Sequence, residues 1–282
     1  MTSDFITTPD GVRLRYWQEG PASAPNVVFL AGWAQTAAQF KKQVAHFKSN
    51  FRVTTYDHRG HGDSDKPAFG YRVARLAADL ESLLAQLDLR EVTLVGHSMG
   101  AAVIWAHWDL FPHPHDRVKK IAIVDQGAAV TADPGWTPEQ AAEAGTVFPA
   151  GRRFELAGAL RGPEWRAAWE GLARSFFSPD VAAADIAWAL EQQIKTPREA
   201  AATLLLDHAA ADWRDVIPRI DVPALVIGAR GSLFPVAGLE WIGRQIAGAR
   251  TVVFEKDEGG FHSMFWENPD KFNRVLEEFL LD

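Results

Sequence analysis

The chain has 282 residues, enough for one α/β domain carrying an insertion and for a core that needs no covalent staples. With 47% hydrophobic and 23% charged residues and a formal net charge of −7, it lacks the clustered Lys and Arg that a phosphate backbone demands, so nucleic acid is not an expected partner. It contains no cysteine, which excludes disulfides and thiolate metal sites and fits a reducing compartment.

The first residues, MTSDFITTPDGVRLRYW, have no basic stretch leading into an apolar one, so no signal peptide is expected. No run approaches the ~18 apolar residues of a membrane span. The expected protein is soluble and cytoplasmic, without membrane contact. FITTPDGVRLRYWQEG sets a Pro-Asp-Gly turn between two β-rich runs, a hairpin signal. VVFLAGW (27–33) is a continuous apolar run interrupted by glycine, as in a strand buried on both faces. After a helix-like stretch, RVTTYDHRG (52–60) reads as a strand entering a polar loop. YRVARLAADLESLLAQLDL (71–89) repeats apolar residues at helical spacing. VTLVGH (92–97) predicts a strand, Met99 to about Leu110 a helix, and KKIAIVD (119–125) a further strand.

The rhythm then breaks. Residues 132–213 hold no strand-like run, and ADIAWALEQQIK and PREAAATLLLDHAA read as helices. Alternation resumes with PALVIGA (223–229), a helix near 236–247, RTVVFEK (250–256) and the helix NPDKFNRVLEEFLL. The pattern predicts an α/β class protein with a mostly parallel central sheet flanked by helices. It divides into a first core part (1–131), a helical cap (132–213) and a second core part (214–282).

The stretch Gly96-His97-Ser98-Met99-Gly100 lies between a strand and a helix. A serine there stands at the carboxyl end of a buried strand, on a turn tight enough to demand small residues two before and two after it. The amide of Met99 opens the helix and can donate to a developing oxyanion.

On this elbow, with LAGW (30–33), DHRGHGDSD (57–65), PALVIGARGSLFP (223–235) and GGFHSMFWENPDKF (259–272), nearly the whole chain resembles the α/β-hydrolase superfamily. The resemblance implies Ser98 as nucleophile and His262 as its general base. The family often takes its acid from the loop after the seventh strand, where this chain reads GARGSLFP with Gly231 or Ser232 at that place. Another known placement is the end of the sixth strand, which makes Asp125 the expected acid. The resemblance also implies a second oxyanion donor, the Trp33 amide. The family often has His-Gly-x there, and Ala31 stands in place of the histidine.

Eleven tryptophans serve either as core and cap filling or as pocket lining. The pocket candidates are Trp33, His97, Trp136, Trp165, Trp169 and Trp188. His58 and His61 are expected to support the site and Asp57 to hold its loop. His107, His113, His115 and His208 are expected at the surface or in the cap, and Asp257 and Glu258 to be solvated or structural. No metal-binding pattern and no nucleotide-binding glycine loop is present, so neither metal nor cofactor is expected.

The expected activity is hydrolysis of an ester or lactone of a hydrophobic or aromatic small molecule. A second reading follows FLAGWAQTAAQFK, which looks like the same region of the cofactor-free 2,4-dioxygenases of 3-hydroxy-4-oxoquinolines. That group also places its acid after the sixth strand, but tends to follow it with Trp where this chain has Gln126. A third reading is a non-catalytic small-ligand binder. Substrate identity and oligomeric state stay open.

Overall fold

The computed structural model describes residues 2–111 and 117–282, so the readings of His113 and His115 lie outside the described residues. The N-terminal hairpin is β1 (Thr2–Thr7) and β2 (Arg13–Glu19), antiparallel with Ile6 opposite Leu14. Six parallel strands follow: β3 (Asn26–Leu30), β4 (Arg52–Tyr56), β5 (Val92–His97), β6 (Val118–Val124), β7 (Ala224–Ala229) and β8 (Arg250–Phe254). They form one sheet in the order β1-β2-β4-β3-β5-β6-β7-β8, with β2 antiparallel to β4. β3 ends at Leu30, so Ala31, Gly32 and Trp33 belong to the loop beyond it.

The sheet is covered on both faces because side chains alternate along each strand. Val27 and Phe29 face α1 (Lys41–Phe47) and α11 (Pro269–Leu281), meeting Phe40, Phe47, Phe272 and Leu276. Val28 and Leu30 face the other way. They join the core built by α2 (Val73–Gln86), α3 (Met99–Leu110) and α9 (Val236–Gln245), through Leu76, Leu80, Ile104 and Leu239. Among the described residues no helix is long and apolar enough to cross a membrane.

Between β6 and β7 the chain makes five helices: α4 (Pro138–Ala144), α5 (Arg152–Arg161), α6 (Trp165–Ser175), α7 (Ala183–Gln193) and α8 (Arg198–His208). Only α7 and α8 were individually legible in the sequence. α4 depends on a capping box between Thr137 and Gln140 and stops at Gly145, which adopts φ 75°. α5 carries Gly158 inside it, where nothing crowds the missing side chain.

The loop after β4 is locked from below. Arg59 is fully buried, and its guanidinium donates two 2.6 Å hydrogen bonds to Asp79 of α2 and one of 3.0 Å to Asp10 Oδ2 beside the hairpin turn. The guanidinium holds the Asp10 carboxyl down at about 2. A buried bidentate pair of this kind fixes geometry more than it adds stability.

Candidate active site

Ser98 leaves β5 with φ 53° and ψ −128°, a left-handed backbone that an L side chain adopts only under strain. Neighbouring backbone makes the flanking glycines obligatory. A Cβ at Gly96 would stand 2.6 Å from the Ala101 nitrogen, and one at Gly100 would collide with the Leu30 carbonyl. The Ser98 amide donates to Val124 O at 2.9 Å, so β6 helps hold the turn. Met99 is the first residue of α3, placing its amide at the positive end of that helix.

The loop after β3 is held from the DHRGHG segment. His58 Nε2–H donates to Ala31 O at 3.1 Å. His61 Nδ1–H donates to Arg59 O at 2.9 Å, leaving Nε2 to accept from the Ala34 amide at 3.0 Å. Asp57 accepts from the amides of Ala37 (2.8 Å) and Asp63 (2.7 Å). The amides on both sides of Trp33 are engaged, Gly32 with Gln35 Oε1 at 3.1 Å and Ala34 with His61.

These bonds require a neutral His61, and burial pushes its imidazole down to about 4 from an ordinary 6.5. The unfolded chain takes up a proton at this residue below pH 6.5 while the folded one does not. The stability it contributes is fully present above pH 6.5 and is lost as pH falls toward 4. The stability gap between wild type and His61→Gln is expected to narrow by about 2–3 kcal/mol across that window. Urea unfolding at pH 7 and at pH 4.5 reads this, and a gap independent of pH would contradict it.

Asp125 follows β6 directly, at φ 52°, and is fully buried. His262 lies in the loop after β8, just before α10 (Met264–Glu267), and is 1% exposed. Its Nδ1–H donates to Asp125 Oδ2 at 2.6 Å. The GARGSLFP loop, from which no help was expected, brings a third group: the Ser232 hydroxyl donates to the same Oδ2. Serine at the familiar acid position thus supports the acid instead of replacing it. Sequence reasoning missed this because the contact spans 107 residues and a hydroxyl carries no charge signal. Gly231 leaves room for the Phe261 ring, which a Cβ would approach to 2.6 Å. The Ser263 amide donates to Phe176 O at 3.0 Å, tying the histidine loop to the end of α6.

Burial pushes the Asp125 carboxyl well up, opposed by the Ser232 hydroxyl and the Ala229 amide. It pushes the His262 imidazole down to about 3. At neutral pH His262 is uncharged, with its proton on Nδ1 toward Asp125 and a lone pair on Nε2.

Ser98 and His262 line one cavity of about 60 Å³. Its walls include Trp33, Val130 and Phe234 from the core side, and Leu156, Leu172, Leu205 and His208 from the helical insertion. Of the tryptophans expected to line a pocket, only Trp33 lies on this wall. Trp169 is fully buried behind it, stacked on the Trp33 ring at 5.2 Å. Trp136 carries Arg214 over its ring at 4.1 Å, and Trp165 carries Arg198 at 5.2 Å. Trp188 stacks on Trp266 at 4.5 Å beside Lys41. Each of these rings is engaged elsewhere in the packing. His97 also faces away from the cavity, because its Nε2–H donates to the His262 carbonyl at 2.9 Å and its Nδ1 meets Gln35 Oε1 at 3.0 Å. It supports the histidine loop from beneath.

Of the histidines expected at the surface or in the cap, His107 departs from expectation and His208 lies in the insertion. His107 is buried in α3 and bonds Glu81 at 2.8 Å. His208 is buried on the cavity wall. Glu258 is structural, pairing with Lys271 and capping Glu255. Among the described residues no group of three or more His, Asp or Glu side chains could hold a metal ion.

A family model described as alpha/beta hydrolase fold matches residues 25–269. A non-heme chloroperoxidase of Streptomyces lividans is 28% identical over 282 residues, covering 98% of this chain and 98% of its own. The 3-oxoadipate enol-lactonase 2 of Acinetobacter baylyi is 28% identical over 278 residues, covering 97% and 95%. An esterase of Exiguobacterium antarcticum superposes with a TM-score of 0.88 at 24% identity, covering 100% of both chains, a likeness of fold.

Proposed function

This chain belongs to the α/β-hydrolase family, and from that premise we propose that it hydrolyses an ester or lactone of a compact, largely apolar small molecule through an acyl-enzyme on Ser98. His262 Nε2 takes the Ser98 hydroxyl proton as Oγ attacks the carbonyl carbon. The imidazolium that forms is stabilised by Asp125 across the 2.6 Å bond. The oxyanion receives the amides of Met99 and Trp33. On collapse, His262 returns the proton to the leaving alkoxide, which a lactone keeps tethered. Water then enters the same cycle and releases the acid. Residues 132–213 act as the cap.

The observation that carries this reading is the buried Asp125–His262 pair, whose histidine lines the same cavity as Ser98. A cavity of about 60 Å³ favours a small acyl group, since drug-sized ligands occupy pockets of roughly 300–1,000 Å³. The test is intact-protein mass after incubation with a serine-directed fluorophosphonate, followed by peptide mapping. One adduct, on Ser98, is expected. A folded protein that takes no adduct would remove the acyl-enzyme from the mechanism.

A further inference from the structure

The side chain of His208, at the C-terminal end of α8, lines the cavity together with Ser98 and His262. It is 5% exposed, and its Nδ1 is buried without a hydrogen-bond partner. Each of the other buried histidines among the described residues makes at least one side-chain hydrogen bond, although Nδ1 of His58 and of His107 also has no partner. His58 bonds Ala31, His61 bonds Arg59 and Ala34, His97 bonds the His262 carbonyl, His107 bonds Glu81, and His262 bonds Asp125. A neutral imidazole offers one N–H and one lone pair, and buried polar groups are paired as a rule. Apart from Ser98 and His262, the side chains that line the cavity with His208 are apolar or aromatic, Val147, Phe148, Leu156 and Leu205 among them.

Charge narrows the missing partner. No Lys or Arg lines the cavity. Burial alone holds the His208 imidazole down to about 4, so it is uncharged at neutral pH and cannot balance a carboxylate. The uncharged wall favours an uncharged polar group, such as a hydroxyl or keto oxygen, over a carboxylate.

We propose that His208 hydrogen-bonds a hydroxyl or keto oxygen on the non-reacting part of the substrate, so that the enzyme selects compact hydroxy- or oxo-substituted esters and lactones over plain hydrocarbon ones. This rests on the hydrolase reading above. His208 is a specificity-determining residue that the reaction itself does not use.

The experiment compares kcat/KM for methyl butanoate, its 2-hydroxy, 3-hydroxy and 3-oxo derivatives, and monomethyl succinate. The enzymes are wild type, His208→Leu and His208→Gln, each also labelled with the fluorophosphonate. Wild type is expected to favour at least one uncharged derivative over methyl butanoate by about 10- to 100-fold, mainly through KM, and to use the succinate poorly. In His208→Leu that ratio falls to about 1 with labelling retained, and His208→Gln restores part of it. No favoured derivative, or a Leu variant that slows every ester by one common factor while still labelling, overturns this proposal and leaves the hydrolase reading standing. A wild type that takes no label overturns both.

Discussion

Ser98→Gly is expected to lower kcat by about 10⁴-fold or more and, at the same time, to raise the unfolding temperature. Both effects follow from one residue. In the proposed mechanism the hydroxyl is the atom that attacks, and no other hydroxyl lines the cavity. The backbone at φ 53° and ψ −128° penalises any side chain, and glycine removes the penalty. Strain of this sort costs about 1–3 kcal/mol, which in a chain of this length corresponds to a gain of a few degrees, roughly 2–4 °C per kcal/mol. Calorimetry and an ester assay on the same preparation read both. A variant that loses activity and stability together would mean that the turn is not held against its own preference.

Asp125→Asn is expected to lower kcat by about 10⁴-fold with little change in fold. Asparagine adopts φ 52° as readily as aspartate, and the volume is the same. The chemistry inverts at one bond. An amide nitrogen facing His262 donates to Nδ1, which moves the imidazole proton to Nε2 and removes the base. Ser232 can then only reorient its hydroxyl. The rate of fluorophosphonate labelling should fall in parallel, while the circular dichroism melt stays in place. A loss below 100-fold would place the orienting acid elsewhere and return attention to the loop after β7.

The sheet was legible because each parallel strand is a short apolar run ended by glycine or a polar loop, and α2 because its leucines recur at helical spacing. β5, α3 and the elbow between them fall where the GHSMG pentad puts them. Three helices of the insertion were not legible. α4 is short and capped from outside its apolar positions, and α5 and α6 are separated by only a Gly-Pro turn, so their periodicity merges. At the site, the meeting of Asp125 with His262 was approachable through the family resemblance, which allows an acid after the sixth strand and keeps a histidine in the loop after the last, although β7 lies between those two strands. The Ser232 contact, the turned-away His97 and the orphaned His208 depend on which way a side chain points over more than a hundred residues of separation. Composition and spacing carry no such information. The tryptophans misled for a related reason: a large ring signals burial, and burial against a neighbour reads the same in sequence as burial around a ligand.

Trp33 hands its indole N–H to the Ala201 carbonyl of α8 at 2.8 Å and lays its ring on Trp169 of α6, while its own backbone forms the turn beyond β3. The insertion is consequently not an exchangeable module. Replacing residues 132–213 wholesale, as one would to transplant a specificity, removes both the acceptor and the stacking plane. The loss is then felt at the rim of the sheet, in a part of the chain that such a graft leaves untouched. A chimera that keeps Trp169 and the first turn of α8 native, and varies only the faces carrying Leu156, Leu172 and Leu205, respects that joint.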